Sequence, residues 1–273
     1  MEDKQDTVSQ QETTQALLEP IGVRVIGEVD PRTLTEEQFR NSPNLLFHGA
    51  KEDFVFSRDF DYENFQNPGG FTIGAGFYTT DNEEEARHFS RARQDNSSET
   101  RVVLPILPYQ ARIFDLRARN NQSVNAPVPN EIFQGYLNFI ESKFGPKYEG
   151  YNPQEDKDFI NGHSPTDETS RNERIKRSNR LLNFMSSKNY LESLRRLKRR
   201  GTPINLRSML SEMGDKHRGY ASFLFPEFMQ KEGYDGIIYI EGGDIPEQKN
   251  PTTYVFYGLE KVGTFESWRE TKQ

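Results

Sequence analysis

Strand-like segments occupy both ends of this chain, and a long helical, charge-laden stretch separates them. "VRVIGEV" (Val23 to Val29), "NLLFHGA", "GAGFYTT", "TRVVLPILPY" and "ARIFDLR" carry the β-branched, aromatic and partly alternating residues of sheet strands before residue 125. "YDGIIYI" and "TTYVFYGLEKVGTF" repeat that character close to the C-terminus. Strands bury their apolar faces only against other elements, so the two sets have to meet across the intervening stretch. The expected organisation is α+β: a sheet-built core in two parts, 21–124 and 231–273, carrying a helical, partly basic insertion at 125–230. Residues 1–20, rich in Gln, Thr, Asp and Glu with almost no large apolar side chain, read as a disordered leader that cannot offset its ordering entropy.

The insertion has its own signature. "NEIFQGYLNFIESKFG", "RNERIKRSNRLLNFMSSKNYLESLRRLKRRG", "NLRSMLSEM" and "YASFLFPEFMQKEG" fit helices, with Gly233 as a C-terminal stop, and "NPQEDKDFINGHSPTDETS" reads as a polar loop. From Arg171 to Arg218 there are 14 Lys or Arg against 4 Asp or Glu, so a segment of +10 sits in a chain of net charge −7. Leu and Phe at helical spacing in the same stretch fit an amphipathic pair docked on the core as well as they fit a binding face. As a binding face it suits an acidic protein surface, anionic lipid headgroups or nucleic acid.

Several chemistries drop out. The chain has no cysteine, which removes disulfides, thiolate metal sites and cysteine nucleophiles. Its four histidines, His48, His88, His163 and His217, form no HxxxH or HExxH pattern, so no metal is expected. Neither GxSxG, GxxxxGK[ST] nor GxGxxG occurs. The apolar runs, such as Val102 to Leu107, are strand-sized rather than membrane-spanning, and the first 18 residues lack a secretory pattern.

What remains is concentrated in "GGFTIGAGFYTTDNEEEARHFS", where Gly69, Gly70, Gly74 and Gly76 precede Phe77 and Tyr78. Glycines at that density in a strand context signal a tight bend or close backbone approach. Asp81 and Glu84 fit a capping box opening a helix that runs to about Arg93. Upstream, Thr33 with Glu36 or Thr35 with Gln38 fits a second capping box, and "NLLFHGA" fits a strand ending on His48 and Gly49. Taken singly, His48 is an ordinary polar strand-end residue and Tyr78 and Phe89 are ordinary core aromatics; the joint spacing carries the signal.

"LLFHGA…GFYTTDNEEEARHF" resembles the diphtheria toxin and poly(ADP-ribose) polymerase branch of the ADP-ribosyltransferases. That branch has a strand-end His-Gly, a Gly-Phe-Tyr-(Ser/Thr) strand and a helix bearing a second aromatic eleven positions on, here Phe89. "EGYDGIIYIEGG…TTYVFYGLEKV" is similar to the closing strands of bacterial and phage members. The resemblance implies two small, mainly antiparallel sheets around an NAD cleft, with NAD as substrate. Tyr78 and Phe89 would sandwich the nicotinamide, Gly49 would meet its carboxamide, and His48 would orient ribose hydroxyls. Gly74, Gly76 and Thr79 would lie beside the sugar-phosphate. The chain departs from the pattern where a glutamate normally supports the ribose: Thr253 stands there. Glu241 is the first candidate for the missing acid because Gly242 and Gly243 hinge it, and Glu247 is the second.

These expectations define a mono-ADP-ribosyltransferase acting on a macromolecule, foremost a protein, with release of nicotinamide. The alternatives are a non-catalytic NAD-binding or partner-binding module that has lost its acid, and a transferase acting on nucleic acid or a small molecule. The expected location is intracellular, or a host cell entered by a specialised secretion system.

Overall fold

The computed structural model describes residues 22–51, 56, 76–92, 101–117, 127–162, 167–201, 203–211, 218–240 and 252–270. Eight strands appear among them: β1 (Gly22–Ile26), β2 (Leu46–Lys51), β3 (Phe77–Thr80), β4 (Arg101–Pro108), β5 (Ala111–Asp115), β6 (Gly236–Ile240), β7 (Thr252–Phe256) and β8 (Val262–Gly263). They hydrogen-bond in the order β1-β5-β6-β7-β3-β2-β4-β8. The β5–β6 pair is parallel and the other neighbours are antiparallel. Eight α-helices accompany them: α1 (Glu36–Arg40), α2 (Glu83–Ala92), α3 (Asn130–Lys147), α4 (Pro153–Gly162), α5 (Glu168–Arg200), α6 (Leu206–Ser211), α7 (Arg218–Lys231) and α8 (Phe265–Glu270). The protein is α+β, and among its described residues no helix is long and apolar enough to cross a membrane.

The two small sheets expected from the sequence are one mixed sheet here. β4 is the reason: its first six residues pair with β2 and its last two with β8, so one unbroken strand serves both partners. The narrowest joint is between β2 and β3, which pair only at Phe47 and Thr80. One face buries Leu46, Phe77, Ile106, Ala111, Ile113, Ile238 and Phe256, closed by Leu259 and Val262 from the chain's last turns. Phe39, Leu107 and Trp268 form a smaller cluster, where the indole N–H donates to the Leu107 carbonyl at 3.1 Å.

The described chain divides into a sheet unit, within 22–117 and 229–270, and a helical unit, 127–228. In the helical unit the phenols of Tyr136 and Tyr190 hydrogen-bond at 2.9 Å, and Tyr190 also donates to the Met209 carbonyl. Burial and the partner phenol push the Tyr136 phenol well above its ordinary pKa, so the pair stays neutral. Phe139, Phe225 and Phe228 pack round the Tyr136 ring at centroid separations of 5.4 to 6.4 Å.

Local chemistry revises several expectations. Of the two capping boxes offered upstream, Thr35 with Gln38 forms. At α2 the cap is Asn82, whose Oδ1 accepts from the Glu85 N–H, because Asp81 is committed to β7 through the Thr252 N–H. β2 runs past His48 to Lys51, since all six of its residues find partners on β4. "TTYVFYGLEKVGTF" is not one strand: it turns after Phe256 into β8 and α8. The stretch expected as a polar loop contains α4. That helix has little apolar stripe to reveal it, and a charge anchors it instead. Asp156 is fully buried, accepts from Tyr151 Oη and Arg180 Nε at 2.7 Å, and lies 3.5 Å from Arg177 Nη1.

The Arg180 fork holds the Asp156 carboxyl below the usual range, against the burial that would raise it, with Tyr151 and Arg177 assisting. A depressed folded pKa means the stabilisation is present above the unfolded value and is lost as pH falls through the folded one. Asp156→Asn should therefore lower Tm at neutral pH. The gap from wild type should hold down to about pH 4, the ordinary carboxylate value, and close below it. Circular dichroism melts across that range test this, and a gap that widens towards acid would contradict it.

Candidate functional site

β3 is held firmly on one flank, by four pairs with β7 from Phe77↔Phe256 to Thr80↔Thr253. On the other flank it meets β2 at Phe47↔Thr80 alone, while β2 keeps six pairs with β4. Past Phe47 the two strands part and leave a notch in the sheet. His48 spans it. Its Nδ1 lies 2.6 Å from the Tyr78 carbonyl oxygen. A carbonyl only accepts, so Nδ1 carries the proton of this hydrogen bond. The imidazole also stacks on Phe77, with centroids 4.2 Å apart and planes inclined by 29°.

Strand alternation sorts the side chains. Phe47 and Thr80 share a face because they pair, so Gly49 and Tyr78, two residues along each strand, lie on that same face. Gly49 brings no side chain to the face that carries the half-buried Tyr78. Next to Tyr78 on that face are its partner Val255 and, beyond, Ile237, both fully buried. The neighbouring row is polar: Thr80, Thr253 and Tyr239 lie side by side on three strands, each at most 1% exposed. The imidazole joins Leu46 and Phe77 on the opposite face. The fold thus brings His48 to the main chain of Tyr78, and Gly49 to the face that carries its ring.

The other residues singled out from the sequence fall as follows. Thr79 is buried on the core face, its Oγ1 3.5 Å from the Tyr254 carbonyl. Gly76 answers to packing: a Cβ there would overlap Val255 Cγ1 and stand 3.0 Å from the Phe256 oxygen. Phe89 belongs to α2, which packs along β2 and β4, so its backbone returns towards the His48 strand; its side chain lies outside the described residues. Gly74, Glu241 and Glu247 also lie outside them, β6 ending at Ile240. Thr253 has its place in the buried polar row.

One charged group had little signal in the sequence beyond the D-x-R spacing of "ARIFDLR". Arg117 forks onto Asp115 at 2.6 and 2.9 Å, and Arg24 reaches the same carboxylate at 3.8 Å. Burial, followed by the charge of Asp81, raises the Tyr254 phenol above its ordinary pKa, and Arg117 partly offsets the rise. Among the described residues no group of His, Asp and Glu is placed to hold a metal ion. Comparison with family models, curated proteins and solved structures returned no match, so the site is read from its own geometry.

Two stability predictions follow from this geometry. His48→Ala removes the imidazole hydrogen bond to the Tyr78 carbonyl and should cost about 1 kcal/mol. His48→Asn, whose amide N–H can stand in for Nδ1–H, should recover much of that loss in urea melts. At Thr253, the Val variant should stay within about 1 kcal/mol of wild type, whereas Glu places a carboxylate in a dry row and should cost about 3 kcal/mol or more at pH 7. Burial raises that carboxyl's folded pKa, so the Glu variant should regain stability as pH is lowered and the group protonates. Equal melting of the Val and Glu variants would show that the row is open to water.

Proposed function

We propose that the β2–β3 notch is the NAD site of a mono-ADP-ribosyltransferase and that the sheet is an ADP-ribosyltransferase fold. The observation that supports this best is the pairing of roles across the parted strands: a side-chain-free Gly49 on the face of Tyr78, with His48 fixing the Tyr78 main chain. A flat ring stacked on Tyr78 would meet the main chain of Gly49 rather than a side chain, and that main chain would approach the carboxamide. Phe89, carried by α2, supplies the second aromatic face. Offset stacking of this kind contributes about 1 kcal/mol per contact.

In the reaction the C1–N bond between ribose and nicotinamide breaks, and its electron pair leaves with nicotinamide. An acceptor nucleophile then bonds to C1 and gives up its proton. Positive charge on the ribose has to be stabilised in between, which is the work of a carboxylate in a partly dry site. Glu241 is assigned that role, with Glu247 as the alternative. His48 acts as a positioning residue for Tyr78, through the hydrogen bond to its main-chain carbonyl. The acceptor is a protein, recognised in part by the basic Arg171–Arg218 region, inside the producing cell or a host cell. Without an acid at Thr253, chain extension into polymer is not part of the activity. A second reading, a binding module without catalysis, draws on one observation: Thr253 is buried where the family's acid would stand.

Incubation with labelled NAD and a cell lysate separates these readings. The transferase should release nicotinamide and label protein. Tyr78→Ala and His48→Ala should each lower turnover by roughly 10-fold or more, about 1.4 kcal/mol of transition-state stabilisation. Phe89→Tyr should be mild and Phe89→Ala severe. Glu241→Gln should lose most of kcat with little change in NAD affinity. NAD binding without nicotinamide release establishes the second reading, and wild-type rates in the Tyr78 and His48 variants would remove the site altogether.

A further inference from the structure

The helical unit holds a cavity of about 490 Å³ between the C-terminal end of α3 and one face of α5. Its wall contains Asn172, Asn179 and Asn183, which the helical repeat stacks along a single stripe of α5. Asparagine is a poor helix former because its amide competes for the backbone. Three on one face of a 33-residue helix otherwise rich in Arg, Lys and Leu point to a use for the amides. Lys147, Lys176 and Arg180 complete the polar wall, and among the described residues no carboxylate lines it.

One further feature suits a ligand. Arg180 is not a loose surface cation: its guanidinium is forked onto buried Asp156, which fixes its position while leaving some of its five N–H donors uncommitted. Ammonium, guanidinium and amide groups therefore line one cavity, with Tyr148 and Ile175 as its apolar contacts.

We propose that this cavity binds a phosphate ester of a polyol. The cations take the phosphate oxygens, and the asparagine amides, which both donate and accept, take the polyol hydroxyls. The volume is that of a small-molecule site rather than of a bare ion. The ester has two sources, a soluble molecule or a lipid headgroup. The second is included because Ile175 at 52%, Leu182 at 59% and Met185 at 38% exposure stand on the same helix. The site is independent of the proposed NAD chemistry.

The test uses the full chain with inositol 1,4,5-trisphosphate in titration calorimetry and, separately, phosphatidylcholine vesicles with or without phosphatidylinositol bisphosphate in co-sedimentation. The Lys147→Ala/Lys176→Ala double variant and Asn179→Leu should each weaken binding at least tenfold and leave the far-ultraviolet dichroism unchanged. Arg199→Ala/Arg200→Ala, equally basic but outside the cavity, should leave binding as it was. Binding to the trisphosphate assigns a soluble ester, and binding to the lipid-containing vesicles alone assigns a headgroup; both support the site. Equal loss in the cavity and Arg199/Arg200 variants, unchanged binding in all of them, or no binding to either probe overturns it.

Discussion

The sheet depends on β7 lying between β6 and β3. This strand, from near the C-terminus, makes five pairs with one neighbour and four with the other. It thereby joins residues that the helical unit separates in sequence. Such close seating is allowed because glycine flanks it on both sides: a Cβ on Gly76 would overlap the Val255 side chain, and one on Gly236 would overlap the Val255 carbonyl oxygen. The attachment of β3 follows from this. β3 belongs to the C-terminal half of the sheet, β2 belongs to β4, and the single Phe47–Thr80 pair is what remains to join them. The notch that carries the candidate site is the seam between two well-paired halves, with the His48 imidazole in place of a strand amide at the Tyr78 carbonyl.

In the helical unit, charge is partly structural, and the surface left for partners is smaller than a count of residues suggests. Arg177 and Arg180 serve Asp156, and Arg195 bonds both Glu141 and Glu192. Lys198, Arg199 and Arg200 occupy the last turn of α5, where cations favour the helix dipole, and Gly201 closes the helix at φ 64°. Exposed pairs such as Arg195 with Glu192 contribute little each, about 0.5 kcal/mol. The Asp156 group differs because its carboxylate has no water to fall back on.

How much of this was legible in the sequence follows from how local each determinant is. Capping at Thr35, the β-branched character of β4 to β7 and the stop at Gly233, which adopts φ 80°, are written within a few residues and were readable. The α4 helix was not, because its anchor, Asp156, is defined by arginines on another helix. The cap at Asn82 was misplaced by one residue because Asp81 answers to Thr252, far along the chain. The glycines ahead of Tyr78 advertised close approach. At Gly76 the approaching group is β7, which no window around residue 76 could have named. His48, Gly49 and Tyr78 were readable as a motif, but the register that sets Gly49 on the face of Tyr78 and turns His48 to the other belongs to the assembled sheet.

The same register bears on the missing acid. Thr253 lies between Thr80 and Tyr239 in a row with almost no exposure, and a carboxylate there would be favoured in its neutral form, unable to balance charge on a ribose. On the proposed reading, an acid that serves the ribose belongs outside this row, where water or a nearby cation keeps it ionised. β6 ends at Ile240, which pairs with Thr252, the residue beside Thr253. On the reading proposed above, an acid that replaces Thr253 has to come from the connection between β6 and β7, which carries Glu241 and Glu247 in its sequence.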